Sequence, residues 1–236
     1  MVKCFSRFMA IFLAVSLALL SNTASAKSKK ARVRFFNAIT SLDNPLSLAG
    51  NVYQTPKQKL LAKSVGYGFT SKLKAPFPTS STIELHVFDD LDNGVANTLT
   101  STVPDEDITA VAISSSIFPV IVLARESPYP KDFPFTFGKV VIVNAIQDGG
   151  NLDYFLAGDG VSYEGDNNAY GSTRTFPTDI GNWELTVRTA GTANAIHSQI
   201  FSFEANAVDV IVLYGTVSNT DFFPVTARHL TEKTKK

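Results

Sequence analysis

The chain has 236 residues, 44% apolar, 18% charged and 11% aromatic, with 14 Gly and 11 Pro; this globular composition excludes disorder, collagen and coiled coil. Lys+Arg and Asp+Glu both number 21, so there is no overall basic field to hold a polyanion, which argues against nucleic acid as the main partner. A single Cys excludes disulfide scaffolds and thiolate metal sites.

Residues 1–26 read as a secretory signal peptide. Lys3 and Arg7 give the positive start, Phe8 to Leu20 is an apolar or small-residue run, and Ala24-Ser25-Ala26 is an A-x-A cleavage site. That run is too short for the roughly 20 residues that span a bilayer. The predicted mature chain begins at Lys27, is periplasmic or extracellular, and has lost Cys4 with the signal. Loss of Lys3 and Arg7 takes two of the 21 basic residues and leaves a formal charge of −2. Later apolar runs, Val120 to Ala124 and Val140 to Val143, are strand-sized, so no membrane span is expected in the mature chain. The chain contains no N-x-Ser/Thr sequon, which favours a bacterial exported protein.

Taken in order, Val33 to Ile39 reads as a strand, and Leu60 to Val65 as the start of a short helix that Gly66 and Gly68 cut off. In Thr82 to Phe88, Ile83, Leu85 and Val87 alternate with Glu84 and His86, giving one buried and one wet face. Asn93-Gly94 and Gly149-Gly150 supply the positive φ of tight reversals. Between the halves, residues 126–137 form a Pro- and aromatic-rich linker. Pro128, Pro130 and Pro134 stiffen it, while Tyr129, Phe133, Phe135 and Phe137 are expected to wedge the two halves together.

An internal repeat organises the rest. Val33-Arg34-Phe35-Phe36-Asn37-Ala38-Ile39 recurs as Val140-Val141-Ile142-Val143-Asn144-Ala145-Ile146, and Gly66-Tyr67-Gly68 as Ala169-Tyr170-Gly171. Ile83 to Val87 matches Trp183 to Val187, Ile108 to Ile113 matches Val208 to Leu213, and Phe118-Pro119-Val120 matches Phe223-Pro224-Val225. The expectation is all-β: two tandem antiparallel Ig-like Greek-key β-sandwich domains, each of six or seven strands, at 31–125 and 138–230. Residues 231–236 form a polar tail.

The second half, through Val140 to Ala145, Leu152-Asp153-Tyr154-Phe155-Leu156, Ala169-Tyr170-Gly171, Trp183 to Thr192 and Val210 to Gly215, resembles exported bacterial β-sandwich domains of unknown function that often occur in tandem. The first half is fainter, since Asp89-Asp90-Leu91-Asp92 replaces Arg188-Thr189-Ala190-Gly191. The family's His-Ala after the first strand is Asn37-Ala38 and Asn144-Ala145 here, and its Pro-Asp-Ala-Pro turn is missing. In pattern and length the chain also has a distant likeness to the periplasmic accessory protein of bacterial alginate O-acetylation. The resemblances imply a fold and an envelope setting, and they carry over no catalytic, cofactor or metal residue.

The chain has no G-x-S-x-G elbow, Walker loop, H-E-x-x-H or G-x-G-x-x-G. His86, His197 and His229 are scattered and read as surface residues. Asp89, Asp90, Asp92 and Asn93 read as a solvated hairpin tip. Asp159, Glu164, Asp166, Asn167 and Asn168, with glycines between them, read as a similar tip, with calcium as the alternative ligand of an acidic loop. Trp183, Tyr154, Tyr163 and Tyr170 offer rings for a sugar platform, although the alternation around Trp183 assigns it to the core. Asn37 and Asn144 are expected to close the turns that follow them. The expected function is a non-catalytic exported binding or scaffolding protein without cofactor, whose partner is an envelope protein or polysaccharide. The alternative is an accessory role in exopolysaccharide O-acetylation, and a hydrolase using one of the histidines is the third class.

Overall fold

The computed structural model describes residues 30–40, 45–55, 57–103, 106–115, 118–126, 137–204 and 207–233. The signal segment and Tyr129, Phe133 and Phe135 of the linker lie outside the described residues.

Among the described residues, each half contributes eight strands. In the first they are β1 (Ala31–Asn37), β2 (Leu46–Val52), β3 (Lys59–Val65), β4 (Lys74–Phe77), β5 (Thr82–Phe88), β6 (Gly94–Ser101), β7 (Asp107–Ile113) and β8 (Val120–Glu126). In the second they are β9 (Phe137–Ile146), β10 (Leu152–Gly158), β11 (Val161–Asn168), β12 (Thr173–Asp179), β13 (Gly181–Thr189), β14 (Ala195–Phe203), β15 (Ala207–Gly215) and β16 (Thr226–Lys233). Two strands more conspicuous for proline than for alternation, β4 with Pro76 and β12 with Pro177, raise the count above six or seven. Both are sheet edges, where a missing N–H breaks no ladder.

Each half is a sandwich of two four-stranded sheets, β4-β1-β7-β8 over β3-β2-β5-β6 and β12-β9-β15-β16 over β11-β10-β13-β14. Tandem β-sandwiches are what the repeat predicts. Within that class the order differs from the ABED-over-CFG order of immunoglobulin constant domains, and the pairing is not wholly antiparallel, because β1 runs parallel to β7 and β9 parallel to β15. Lys59–Val65 is the strand β3, not the start of a helix. Its pairing with β2 and the burial of Leu61, Ala62 and Val65 override local propensity. The linker is shorter than expected, since Glu126 ends β8 and Phe137 begins β9, and β16 continues past residue 230.

The two registers also correct the alignment of the repeat. Asn37 faces Ala112, and Asn144 faces Leu213, so Ala112 corresponds to Leu213 and Ile108 to Asp209. The sequence match was one residue out, which in a strand exchanges the two faces.

Ile83, Leu85 and Val87 of β5 pack against Val33, Phe35, Ile108 and Ala110 in the first core, while Trp183, Leu185 and Val187 of β13 pack against Val140, Ile142 and Ile211 in the second. A third core joins the halves: Phe36, Ala38, Val111 and Ala124 meet Val141, Val143, Ala145, Val210, Val212 and Leu230. The molecule is therefore a stack of four sheets, with the β1- and β9-containing sheets innermost.

The inner contact is isologous. Gly68 of the first half lies against the Tyr214 ring of the second, and the corresponding Gly171 lies against Ile113, the counterpart of Tyr214. The corresponding residues Thr40 and Gln147 hydrogen-bond each other, placing them beside the local two-fold axis.

Candidate functional site: the groove between the sandwiches

The repeated Asn and Tyr-Gly residues build this seam. Asn37 and Asn144 are fully buried. Each accepts a bond from the backbone N–H two residues on, Ile39 at 3.0 Å and Ile146 at 3.2 Å. Each also donates its amide to a distant carbonyl, Val65 and Asn168, at 3.0 Å. They close the following turn as expected, and in addition they anchor the ends of β3 and β11. The turn glycines, Gly68 and Gly171, both have φ +74°, where a side chain is strained, and both donate to the Asn backbone carbonyl at 2.8 Å. The preceding tyrosines are thereby aimed at the opposite sandwich.

The two ends of the seam differ. At one, Tyr67 packs edge-on against Phe223 and Tyr214, at centroid distances of 5.2 and 5.4 Å, and Tyr214 in turn against Phe36 at 5.2 Å. At the other, Ile113 stands where Tyr214 stands, and the connection at 114–119 is shorter than its counterpart at 216–225, which carries Phe223. This end is open. A groove of about 700 Å³ runs there between Ile113, the strand Val120 to Leu123 and the turn Tyr170 to Thr173, with Ser115 at its end.

Among the described residues, the lining carries no charged side chain. The Tyr170 hydroxyl donates to the Ser114 carbonyl, and burial pushes its phenol up to about 12. The Ser114 and Ser172 hydroxyls are buried with no hydrogen-bond partner among the described residues. The chemistry available is apolar contact with a few neutral hydrogen-bonding groups, the usual make-up of a small binding cleft at a domain junction. Of the four rings singled out in the sequence, only Tyr170 reaches the groove. Trp183 and Tyr154 are core, and Tyr163 stacks on Trp183 at 5.7 Å.

The histidines are not brought together. His86 is on β5, on the outward face as the alternation requires, 3.3 Å from Glu84. His197 lies opposite Val187 on β14, half-buried on the core-facing side. His229 is not an ordinary surface residue either: its Nε2 is 2.9 Å from the fully buried Asp209, and Phe201 and Phe203 flank its ring. The register explains this, since Asp209 occupies the core-facing place of Ile108. The signal in the sequence was an acid inside the apolar run Val208 to Leu213.

The acidic segments are turns and strands. Asp89 accepts from the Leu91 and Asn93 backbone and from the Asn93 amide, which hold its carboxyl below the usual range. Asp159 and Gly160 form the two-residue turn between β10 and β11, with φ of 46° and 79°, and Glu164 to Asn168 lie along β11. The oxygens that the calcium alternative needs around one ion are thus spread along a strand.

A buried ionic cluster on the seam went unread in the sequence. Arg34, 4% exposed, binds both oxygens of Glu126 at 2.9 and 3.0 Å and reaches Thr109 at 2.7 Å and the Leu230 carbonyl of the other half at 3.5 Å. Burial pushes the Glu126 carboxyl up to about 7 against the pull of Arg34 and Thr109.

No protein-family model matches the chain, and no curated protein matches it. Among solved structures it is similar to the Bacillus anthracis TIE protein at 10% identity and a TM-score of 0.24, over 80% of this chain and 34% of that one. The chain thus spans about a third of the length of that structure.

Proposed function

We propose that this chain is a non-catalytic exported binding or scaffolding protein of the periplasm or cell surface, and that the groove between its sandwiches holds the ligand. The observation that carries the reading is the broken symmetry of the seam: one end is closed by Tyr67, Tyr214 and Phe223, and the equivalent end is an uncharged cleft. The segment at residues 1–26 supports export. The positions of the three histidines, on β5, β14 and β16, support a role without catalysis.

The test is complementation of a deletion strain. Thr173 lines the groove and is exposed, so Thr173→Lys places a charge there without disturbing a core. It is expected to abolish complementation, while the triple variant His86→Gln, His197→Gln, His229→Gln retains it. A triple variant that folds, by circular dichroism, yet fails where Thr173→Lys succeeds would replace this reading with an enzymatic one.

A further inference from the structure

The wall of the groove is a strand edge. Among the described strands, β8 is the last of its sheet and pairs with β7 alone. Four consecutive residues, Val120 to Leu123, line the cleft. Since alternate side chains of a strand point to opposite faces, a run of four in a row means that the cleft follows the backbone edge itself. Among the described residues, no backbone hydrogen bond from another strand or loop reaches that edge. Free edges of this kind accept a further strand.

The floor is unfinished as well. Val143 and Val141 of β9 are buried in the seam, and across the ladder they face Thr173 and Thr175 of β12. These two share the face of the valines but are exposed. Among the described residues, the sheet above them ends at β8, which lies over β9 and β15 and leaves β12 uncovered. The vacant place is continuous with the interface the chain already makes between its own halves.

The closed end of the seam indicates the side chain that fits: there, Phe223 lies against Tyr67, the counterpart of Tyr170. At the open mouth, Phe118 is 71% exposed, next to Ser115, whose hydroxyl accepts its N–H at 3.2 Å. It adds apolar surface to whatever enters.

Resting on the groove reading above, we infer that the occupant is an extended segment of another protein, which pairs with β8 as a fifth strand, covers Thr173 and Thr175, and sets an aromatic side chain against Tyr170. Main-chain bonds supply affinity, and the Tyr170 pocket supplies selectivity.

A library of random peptides displayed on phage, panned against the full mature chain and counter-selected on Thr173→Lys, tests this. Selected peptides are expected to be rich in β-branched residues around one aromatic, and to slow amide exchange at Val120 to Leu123. A backbone N-methyl group at alternate peptide positions is expected to weaken binding about tenfold per bond lost, and to have little effect at the positions between. Thr175→Lys, also exposed, is expected to lose the same peptides.

Peptides that bind without protecting β8, or that tolerate N-methylation everywhere, overturn the added strand. A wild-type chain that sediments as a dimer, and as a monomer after Thr173→Lys, also overturns it, because the occupant is then a second copy. If no peptide is selected while Thr173→Lys still fails in complementation, the strand is refuted and the groove reading stands. Complementation by Thr173→Lys removes both.

Discussion

Arg34 and Glu126 lend themselves to a test in which the protein supplies its own control. Both are almost fully buried, and Arg34 is held by Glu126 at 2.9 and 3.0 Å and by Thr109 at 2.7 Å. The counterparts of Arg34 and Thr109 in the other half are Val141 and Val210, so the same seam is built once with an ionic cluster and once with valine. Arg34→Leu removes the guanidinium held against the buried Glu126 carboxylate and leaves it the Thr109 hydroxyl and the half-buried Lys139 charge. Breaking one partner of a buried pair costs about 3–5 kcal/mol, whereas replacing both by apolar side chains is close to neutral or stabilising by about 1–4 kcal/mol. Urea unfolding at pH 8 is therefore expected to show a large loss for Arg34→Leu and most of it recovered in Arg34→Leu/Glu126→Leu. At pH 5 the single variant is expected to recover in part, because Glu126 takes up a proton and no charge is left stranded. Equal losses in the single and double variants at pH 8 would refute the argument.

Wild-type stability is expected to fall between about pH 4.5 and pH 7 through Glu126. Its folded pKa, raised to about 7, lies above the ordinary 4.5, so its contribution is present below that value and lost as pH rises through the folded one; in Glu126→Gln this part of the slope should vanish from urea titrations. Gly158→Ala is expected to cost about 1–3 kcal/mol by overpacking, as its Cβ would lie 2.6 Å from the Trp183 ring; a thermal melt unchanged from wild type would contradict that packing. Asn144→Ala removes the partners of the Ile146 N–H and the Asn168 carbonyl and is expected to cost about 1–3 kcal/mol by denaturant unfolding. The second half expressed alone exposes Val141, Val143, Val210 and Val212, so it is expected to fold as β by circular dichroism and to self-associate in sedimentation; a monomer would show that the seam contributes little.

The repeat was legible because its fixed residues answer to backbone geometry. Asn37 and Asn144 bond main chain, and the turns before β4 and β12 need glycine, so substitution is restricted wherever the fold recurs. Strand β5 was legible from its alternation. The seam was harder to see. Val140-Val141-Ile142-Val143 is a continuous apolar run, the mark of a strand buried on both faces, but a run does not say what covers it. Arg34 and Asp209 were opaque because the side chains that partner them arrive from β8 and β16, far along the chain. β3 is hard to see in the sequence, since its apolar residues follow an irregular ladder with two breaks in register rather than strict alternation. The groove itself is a matter of loop length: the segment at 216–225 supplies Phe223, and the shorter one at 114–119 does not fill its end.

A symmetric homodimer admits every substitution twice, so a charge placed on its contact face meets its own image or leaves two ions without partners. Here the two faces belong to one polypeptide and change independently. Arg34 can stand where its counterpart is Val141, and Ile113 where its counterpart is Tyr214. Covalent fusion thus uncouples the mates of a two-fold interface. One end of the seam is free to specialise in holding the halves together, and the other in meeting something else.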